Sequence, residues 1–214
     1  GAQVFVPAVI LGGLSWGRNL AVYGGLDFLA MQRHELIVVG QKRTVDALAE
    51  WGSLGYAQRF AQTTFQSFWG QFGWMGVLMD RRVYLALLAY SAGLLIGLAA
   101  ATFAFNRSGR QLDRARADVA VLLGVAVLLA VAVYLYYNLT FVQFQGRYLY
   151  PALPVLALAA ALSLRQWARW LLSFVRQDHT AWAAWLPLAP IALMAALDIF
   201  ALYRFIIPAL TIPA

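Results

Sequence analysis

The sequence predicts an all-α, polytopic membrane helix bundle of about five spans, the first one partial, and three observations carry that prediction. Of its 214 residues, 63% are hydrophobic and 12% charged, whereas an ordinary soluble domain is about 45–50% apolar and about 25% charged. The apolar residues gather into long runs; 83–105 alone holds 23 residues, about 34 Å of helix. None of the runs alternates with the period of two that a barrel strand needs. A soluble chain of this size needs a charged outer layer, and hydrocarbon takes the place of that layer here. A soluble globular enzyme, a disordered tail and a solvated coiled coil are thereby excluded.

The spans follow in order. The first apolar run, 4–14, is shorter than the roughly 30 Å of hydrocarbon requires. It lacks the positive start and small-residue cleavage site of a signal peptide, and the sequence begins with Gly1. Residues 1–15 are therefore read as the end of a spanning helix whose beginning lies upstream. Four further spans are expected at 83–105, 119–137, 148–164 (extendable through Trp167) and 182–207, so that 83–214 forms a four-helix transmembrane region. In the run 83–105, Gly93, Gly97 and Ala101 place small residues every four positions, which permits close helix approach. Packing inside the chain's own bundle is the plainer use of that pattern.

Between the first two spans, 16–82 is the least lipid-like segment. Residues 35–39 (ELIVV), followed by Gly40, suit a short strand. Residues 44–51 (TVDALAEW) have helical spacing behind an N-cap Thr44, with Gly52 and Gly55 interrupting. Tyr56, Phe60, Phe68 and Phe72 then recur at multiples of four, with Phe65 near the same stripe, and Gln58, Gln62 and Gln66 form a second line. Such a helix lies in the membrane interface with its apolar face down, or packs on the outer ends of the spans. Trp69 and Trp74 suit the headgroup level.

Charge sets the orientation. Sixteen Lys and Arg stand against nine Asp and Glu, a net charge of +7. Arg107, Arg110, Arg114 and Arg116 occupy one short loop and Arg165, Arg169 and Arg176 another; both fall on the same side of a five-span zigzag, which is expected to be cytoplasmic. The segment 16–82 carries seven basic and five acidic residues, but long loops are translocated largely regardless of charge. The first span then runs inside to outside, the 16–82 segment is extracytoplasmic, and the C-terminus lies outside. Basic residues placed between apolar runs meet lipid phosphates rather than nucleic acid.

Few residues suggest chemistry. Cysteine is absent, so thiolate metal sites, disulfides and Cys nucleophiles are excluded. No nucleophile elbow, zinc-protease pair or P-loop occurs. His34 beside Glu35, and His179 beside Asp178, read as solvated loop side chains, and the sequon at Asn138 lies too close to a membrane exit to be used. Asp198 sits on the outer side of the middle of the last span. A carboxylate there is costly unless it faces a polar cavity or a partner, so it is a candidate substrate site or an interhelical hydrogen bond. In the stretch Phe144–Gln145–Gly146–Arg147–Tyr148–Leu149–Tyr150–Pro151, Gly146 permits a tight reversal and Pro151 suits a first helical turn. Arg147, flanked by Tyr148 and Tyr150, is then held at the outer boundary, where an Arg fork beside phenols suits a lipid-linked phosphate or serves as an interfacial anchor.

Three stretches resemble a known class in sequence and order: Trp16–Gly17–Arg18–Asn19–Leu20–Ala21–Val22–Tyr23–Gly24, then Ser67–Phe68–Trp69–Gly70–Gln71–Phe72–Gly73–Trp74, then Gln145 to Pro151. Together they look like the C-terminal half of a bacterial GT-C membrane glycosyltransferase, of family 39 (protein mannosyltransferase-like) or the related DUF2142 kind. The resemblance implies a polyprenyl-phosphate-linked sugar donor used on the outer face of the bacterial plasma membrane. It implies a catalytic Asp or Glu in an earlier outer loop that no residue here matches; Asp27 belongs to a later loop. No catalytic residue is thus assigned, and this segment alone is not expected to be active. Arg18, Arg147, Tyr148, Tyr150 and Asp198 are its candidate substrate-binding residues. No cofactor is expected in this segment, although the complete enzyme has room for a divalent metal. The alternative is a non-catalytic integral-membrane subunit of a larger respiratory or photosynthetic assembly. Membrane lipid is a partner under both.

Overall fold

The computed structural model describes residues 2–27, 30–37, 40–109, 111–173 and 188–211. Arg110, Arg176, Asp178, His179 and the start of the last predicted span at 182–187 lie outside them. The chain divides into two compact units, 1–43 and 44–214.

In the first unit, α1 spans Ala2–Tyr23. The helix expected to end at Ser15 continues for two more turns, through Trp16 and Arg18. Phe5–Tyr23 is long and apolar enough to cross a membrane, because one Arg and one Asn do not outweigh the surrounding Leu, Val and Tyr. Gly24 ends the helix at φ 74°, with its N–H on the Leu20 carbonyl at 3.1 Å, the usual left-handed stop. The strand expected at 35–39 is not formed: α2 covers Met31–Ile37, and Val38 and Val39 lie outside the described residues. Local bonds explain the helix. The His34 N–H donates to the Ala30 carbonyl at 2.9 Å, and the Arg33 N–H to the Asp27 carboxylate at 3.1 Å, whereas a lone strand would leave its backbone groups unpaired.

The second unit contains α3 (Thr44–Trp69), a hairpin of β1 (Gln71–Phe72) and β2 (Val77–Leu78), α4 (Arg81–Arg107), α5 (Arg114–Thr140), a 3₁₀ segment (Gly146–Ala152), α6 (Leu153–Ser173), α7 (Leu188–Ala201), a π-helical turn (Leu202–Ile206) and α8 (Ile207–Leu210). Asp80 caps α4 through the Arg82 N–H at 2.7 Å, and Asp113 caps α5 through the Arg116 N–H at 2.8 Å. These carboxylates fix where the spans begin.

Four apolar crossings follow, Arg81–Arg107, Arg114–Thr140, Gly146–Ser173 and Leu188–Leu210, which with α1 make five among the described residues. Only 17% of the apolar stretch of α4 and 6% of that of α5 is buried within the protein. Leu122, Leu128, Val133 and Leu139 point outward, as residues bathed in lipid do. The chain is an all-α multi-pass membrane protein.

The small-residue pattern packs within the bundle. A Cβ on Gly97 would overlap the Ser163 Oγ and come within 2.8 Å of the Trp167 indole, so α4 and α6 are in close contact there. The Trp167 N–H donates to the Gly93 carbonyl at 2.8 Å. A second cluster joins α4, α7 and the segment before them: Met79, Tyr84, Leu87 and Ala201 are buried, with Phe65, Trp69, Phe72 and Leu197 packed against them.

Candidate functional site

α3 positions everything at one end of the bundle. It is broken once, at Gly52 (φ 68°, ψ 170°), a conformation that essentially only glycine adopts; Gly55 stays helical. Its aromatic stripe packs on the spans rather than facing lipid. Tyr56 meets Phe144 edge-on at 5.0 Å, Phe60 lies 5.6 Å from Tyr134, and Phe68 meets Tyr150 at 5.7 Å between ring centres. The helix expected to run on past residue 70 stops at Trp69. Gly70 is buried, and a Cβ there would lie 2.9 Å from Phe72 and 3.0 Å from Met79; the chain turns into the hairpin instead.

Polar bonds fasten α3 to the end of α5. The Asn138 carbonyl accepts the hydroxyls of Thr44 at 2.7 Å and Tyr56 at 3.1 Å, so the proton of Thr44 serves this tether. The Asn138 side chain clamps the next turn, accepting the Gln143 N–H at 3.0 Å and donating to the Tyr134 and Gln143 carbonyls at 2.9 and 3.1 Å. At 4% exposure, its amide is committed to structure and is no glycosylation site.

The connection 141–145 then runs onto the 3₁₀ segment, and here the role of Gly146 differs from the tight-reversal expectation. Its φ is not positive. It is glycine because α3 lies against it: a Cβ would overlap the Thr64 carbonyl oxygen and sit 2.6 Å from the Phe68 Cβ. Ser67 seals this contact. Its hydroxyl accepts the Gly146 N–H at 2.7 Å and has the Thr63 and Phe144 carbonyls within reach of its own proton, at 2.5 and 3.2 Å. The Tyr150 hydroxyl donates to the Phe68 carbonyl at 3.0 Å, so this phenol positions the segment.

Arg147 emerges from this rigid base. Its side chain is exposed, and its guanidinium lies 5.9 Å from the ring centres of both Trp74 and Tyr148. No carboxylate pairs with it among the described residues. Trp74, 90% exposed, comes from the hairpin tip. There Gly73, Trp74 and Met75 have φ of 55°, 53° and 70° in succession. A left-handed backbone at two bulky residues costs about 1–3 kcal/mol each, and Gln71 helps to hold it by donating to the Met75 carbonyl at 2.8 Å. The sequence contains the aromatic stretch but gives no sign of this strain.

On the other side of the tip, Met75 lines a cavity of about 280 Å³ with Trp51, Arg59, Thr63 and 142–145. Arg59 stacks on Trp51 at 4.5 Å. Neither residue stands out in the sequence as a site, because their meeting depends on the break at Gly52.

Of the five residues expected to bind substrate, four lie in the second unit, and Asp198 does not join the other three there. Arg147 and Tyr148 meet, and Tyr150 supports them through α3. Arg18 is exposed on α1 of the first unit. Asp198 is exposed on α7, next to the packed Leu197, and makes no ion pair among the described residues. It neither touches Arg147 nor lines the cavity. Among the described residues no three His, Asp or Glu gather to hold a metal ion. Comparison with protein-family models, curated proteins and solved structures gives no match in any of the three.

Proposed function

We propose that this chain is the C-terminal portion of a membrane glycosyltransferase of the GT-C type, similar to family 39 and DUF2142-kind proteins, which binds a polyprenyl-phosphate-linked sugar at the outer face of a bacterial plasma membrane. The observation that carries this reading is the Arg147 guanidinium: exposed, without a carboxylate partner among the described residues, and bracketed by Trp74 and Tyr148 on a base fixed by Gly146 and Ser67. A carrier phosphate sits at the headgroup plane, where such a cation forms charge-assisted hydrogen bonds and the aromatics lie against the first isoprene units. In this arrangement Arg147 holds the phosphate, Tyr148 and Trp74 flank it, and Tyr150 keeps the 3₁₀ segment in place. Proton transfer to or from the acceptor belongs to an acidic residue upstream.

The full chain in lipid nanodiscs, loaded with polyprenyl phosphate and read by native mass spectrometry, tests this. Arg147→Ala should weaken retention about 10- to 100-fold, since a hydrogen bond to a charged group contributes about 1.5–3 kcal/mol. The melting temperature should not move, because the rings that flank Arg147, Trp74 and Tyr148, are themselves exposed. Unchanged retention overturns the reading.

The orientation belongs to the same proposal. Arg107, Arg114, Arg116, Arg165 and Arg169 would mark the cytoplasmic side, leaving the Arg147 end and the C-terminus outside. The chain has no cysteine, so a single Trp74→Cys reports directly. It should react with an impermeant maleimide on intact cells; labelling only after permeabilisation reverses the orientation.

One observation favours the second reading, a non-catalytic subunit of a respiratory, photosynthetic or other membrane assembly. Asp198 is exposed on a lipid-crossing helix, where a carboxylate calls for a partner. Unchanged retention in Arg147→Ala, with other chains co-purifying at fixed ratio through detergent exchange, would move the assignment there.

A further inference from the structure

The cavity beside the hairpin tip has a chemistry distinct from the Arg147 surface. It is lined on one side by α3 and on the other by 142–145. At about 280 Å³ it falls just below the usual range for small-molecule sites, about 300–1,000 Å³, so one six-membered ring with its substituents fits and a lipid chain does not. Two groups in its wall call for a ligand. Gln145 is 8% exposed; its amide N–H donates to the Gln143 side-chain carbonyl at 2.7 Å, while its own Oε1, buried, has no hydrogen-bond partner. An unpaired buried acceptor costs about 1–3 kcal/mol, and a hydroxyl donor would remove that cost. Arg59 supplies the opposite need. Its guanidinium lies over the Trp51 ring at 4.5 Å and offers a fork of donors to paired oxygens.

That pairing is built by the backbone. Along an unbroken helix, Trp51 and Arg59 would be about 12 Å apart in rise, more than two turns. The Gly52 break brings them together.

We infer that this cavity is the subsite for the sugar ring of the lipid-linked donor: a polyhydroxylated ring whose hydroxyl donates to Gln145 Oε1 and whose oxygens accept from Arg59. The inference rests on the donor reading above. The hairpin tip joins the two places, since Trp74 faces Arg147 and the adjacent Met75 lines the cavity. Phosphate and ring, neighbours in the donor, thus have neighbouring sites, and the strained tip is what holds them in register.

The test compares three probes on the full chain in nanodiscs: polyprenyl phosphate, polyprenyl-phosphate hexose, and water-soluble hexose 1-phosphate. The expected result is that the glycosylated carrier binds at least tenfold more tightly than the bare carrier. Gln145→Leu and Arg59→Ala should each erase that increment while leaving the bare carrier's affinity unchanged, and Arg147→Ala should weaken both carriers equally. Arg59 is exposed, so its variant reports even if Gln145→Leu misfolds. Hexose 1-phosphate should compete only weakly, because it lacks the chain. Competition as strong as that of the lipid-linked hexose would assign the cavity to a soluble sugar phosphate and overturn the inference. A bare carrier that binds through Arg147 with no increment from the sugar, or with an increment indifferent to Arg59 and Gln145, overturns the cavity assignment and leaves the donor reading standing. Failure of both carriers to bind overturns the two together.

Discussion

Gly97 and Gly146 each sit where a Cβ would collide with a neighbouring element, but their surroundings differ. Gly97 lies mid-span, and what crowds it are side chains, the Ser163 hydroxyl and the Trp167 indole. Gly146 lies at the end of the bundle, and what crowds it is the main chain of α3, at Thr64 and Phe68. In hydrocarbon, association depends on close packing and a few satisfied donors, and the bond from the Trp167 N–H to the Gly93 carbonyl is one of these. At the boundary, Ser67 and Asn138 act through hydroxyl and amide bonds to backbone groups far away in sequence. The mid-span contact makes a bundle. The boundary contact aims a surface.

Replacing each glycine with alanine measures that difference. Gly146→Ala should have the larger effect, at the upper end of the about 1–3 kcal/mol typical of overpacking, because helix backbone cannot rotate away from a methyl group. The thermal midpoint in detergent should fall, and polyprenyl-phosphate retention should fall with it as Arg147 is displaced. A melting curve like that of the unmodified chain would mean that α3 and the 3₁₀ segment are not in close contact. Gly97→Ala should cost less, about 1–2 kcal/mol, since Ser163 and Trp167 can turn about their side-chain torsions. It should lower the melting temperature while leaving the carrier's affinity intact. Loss of affinity equal to that of Gly146→Ala would show that the bundle and the surface are not separable.

How much of this the sequence revealed follows the same line. The spans and the Gly93–Gly97 spacing lie within single apolar runs, where period and composition are local, and their ends came within a few residues of α4 and α5. The aromatic stripe of α3 was also legible, but not what it faced, since Phe144 and Tyr134 are more than 70 residues away. Arg147 stands out as a candidate because Arg and Tyr stand together in the sequence. The cavity does not, because it needs the Gly52 break, the hairpin tip and Gln145 at once, and no spacing encodes their meeting. The misread strand at 35–39 has the opposite cause: β-branched residues suggested an extended chain where Asp27 and Ala30 supply helical partners.

The smallest expected effect is also the most local. Ser67→Ala removes the acceptor of the Gly146 N–H without adding volume, so the close approach survives and only the bond is lost. Gly146 is buried, and its amide would be left unpaired at about 1 kcal/mol, part of which is recovered if water enters the space left by the hydroxyl. Stability alone would barely resolve this, but amide hydrogen exchange does. Exchange over 144–150 should quicken about fivefold in Ser67→Ala, the equivalent of about 1 kcal/mol, with α4 and α6 around Gly97 unchanged. Faster exchange throughout the bundle would mean that the Ser67 bond supports the whole fold, and the distinction between a packing glycine and an aiming glycine would be lost. Unaltered exchange at 144–150 would mean that steric contact alone fixes the segment, leaving Gly146, Thr64 and Phe68 to hold Arg147 without the hydroxyl.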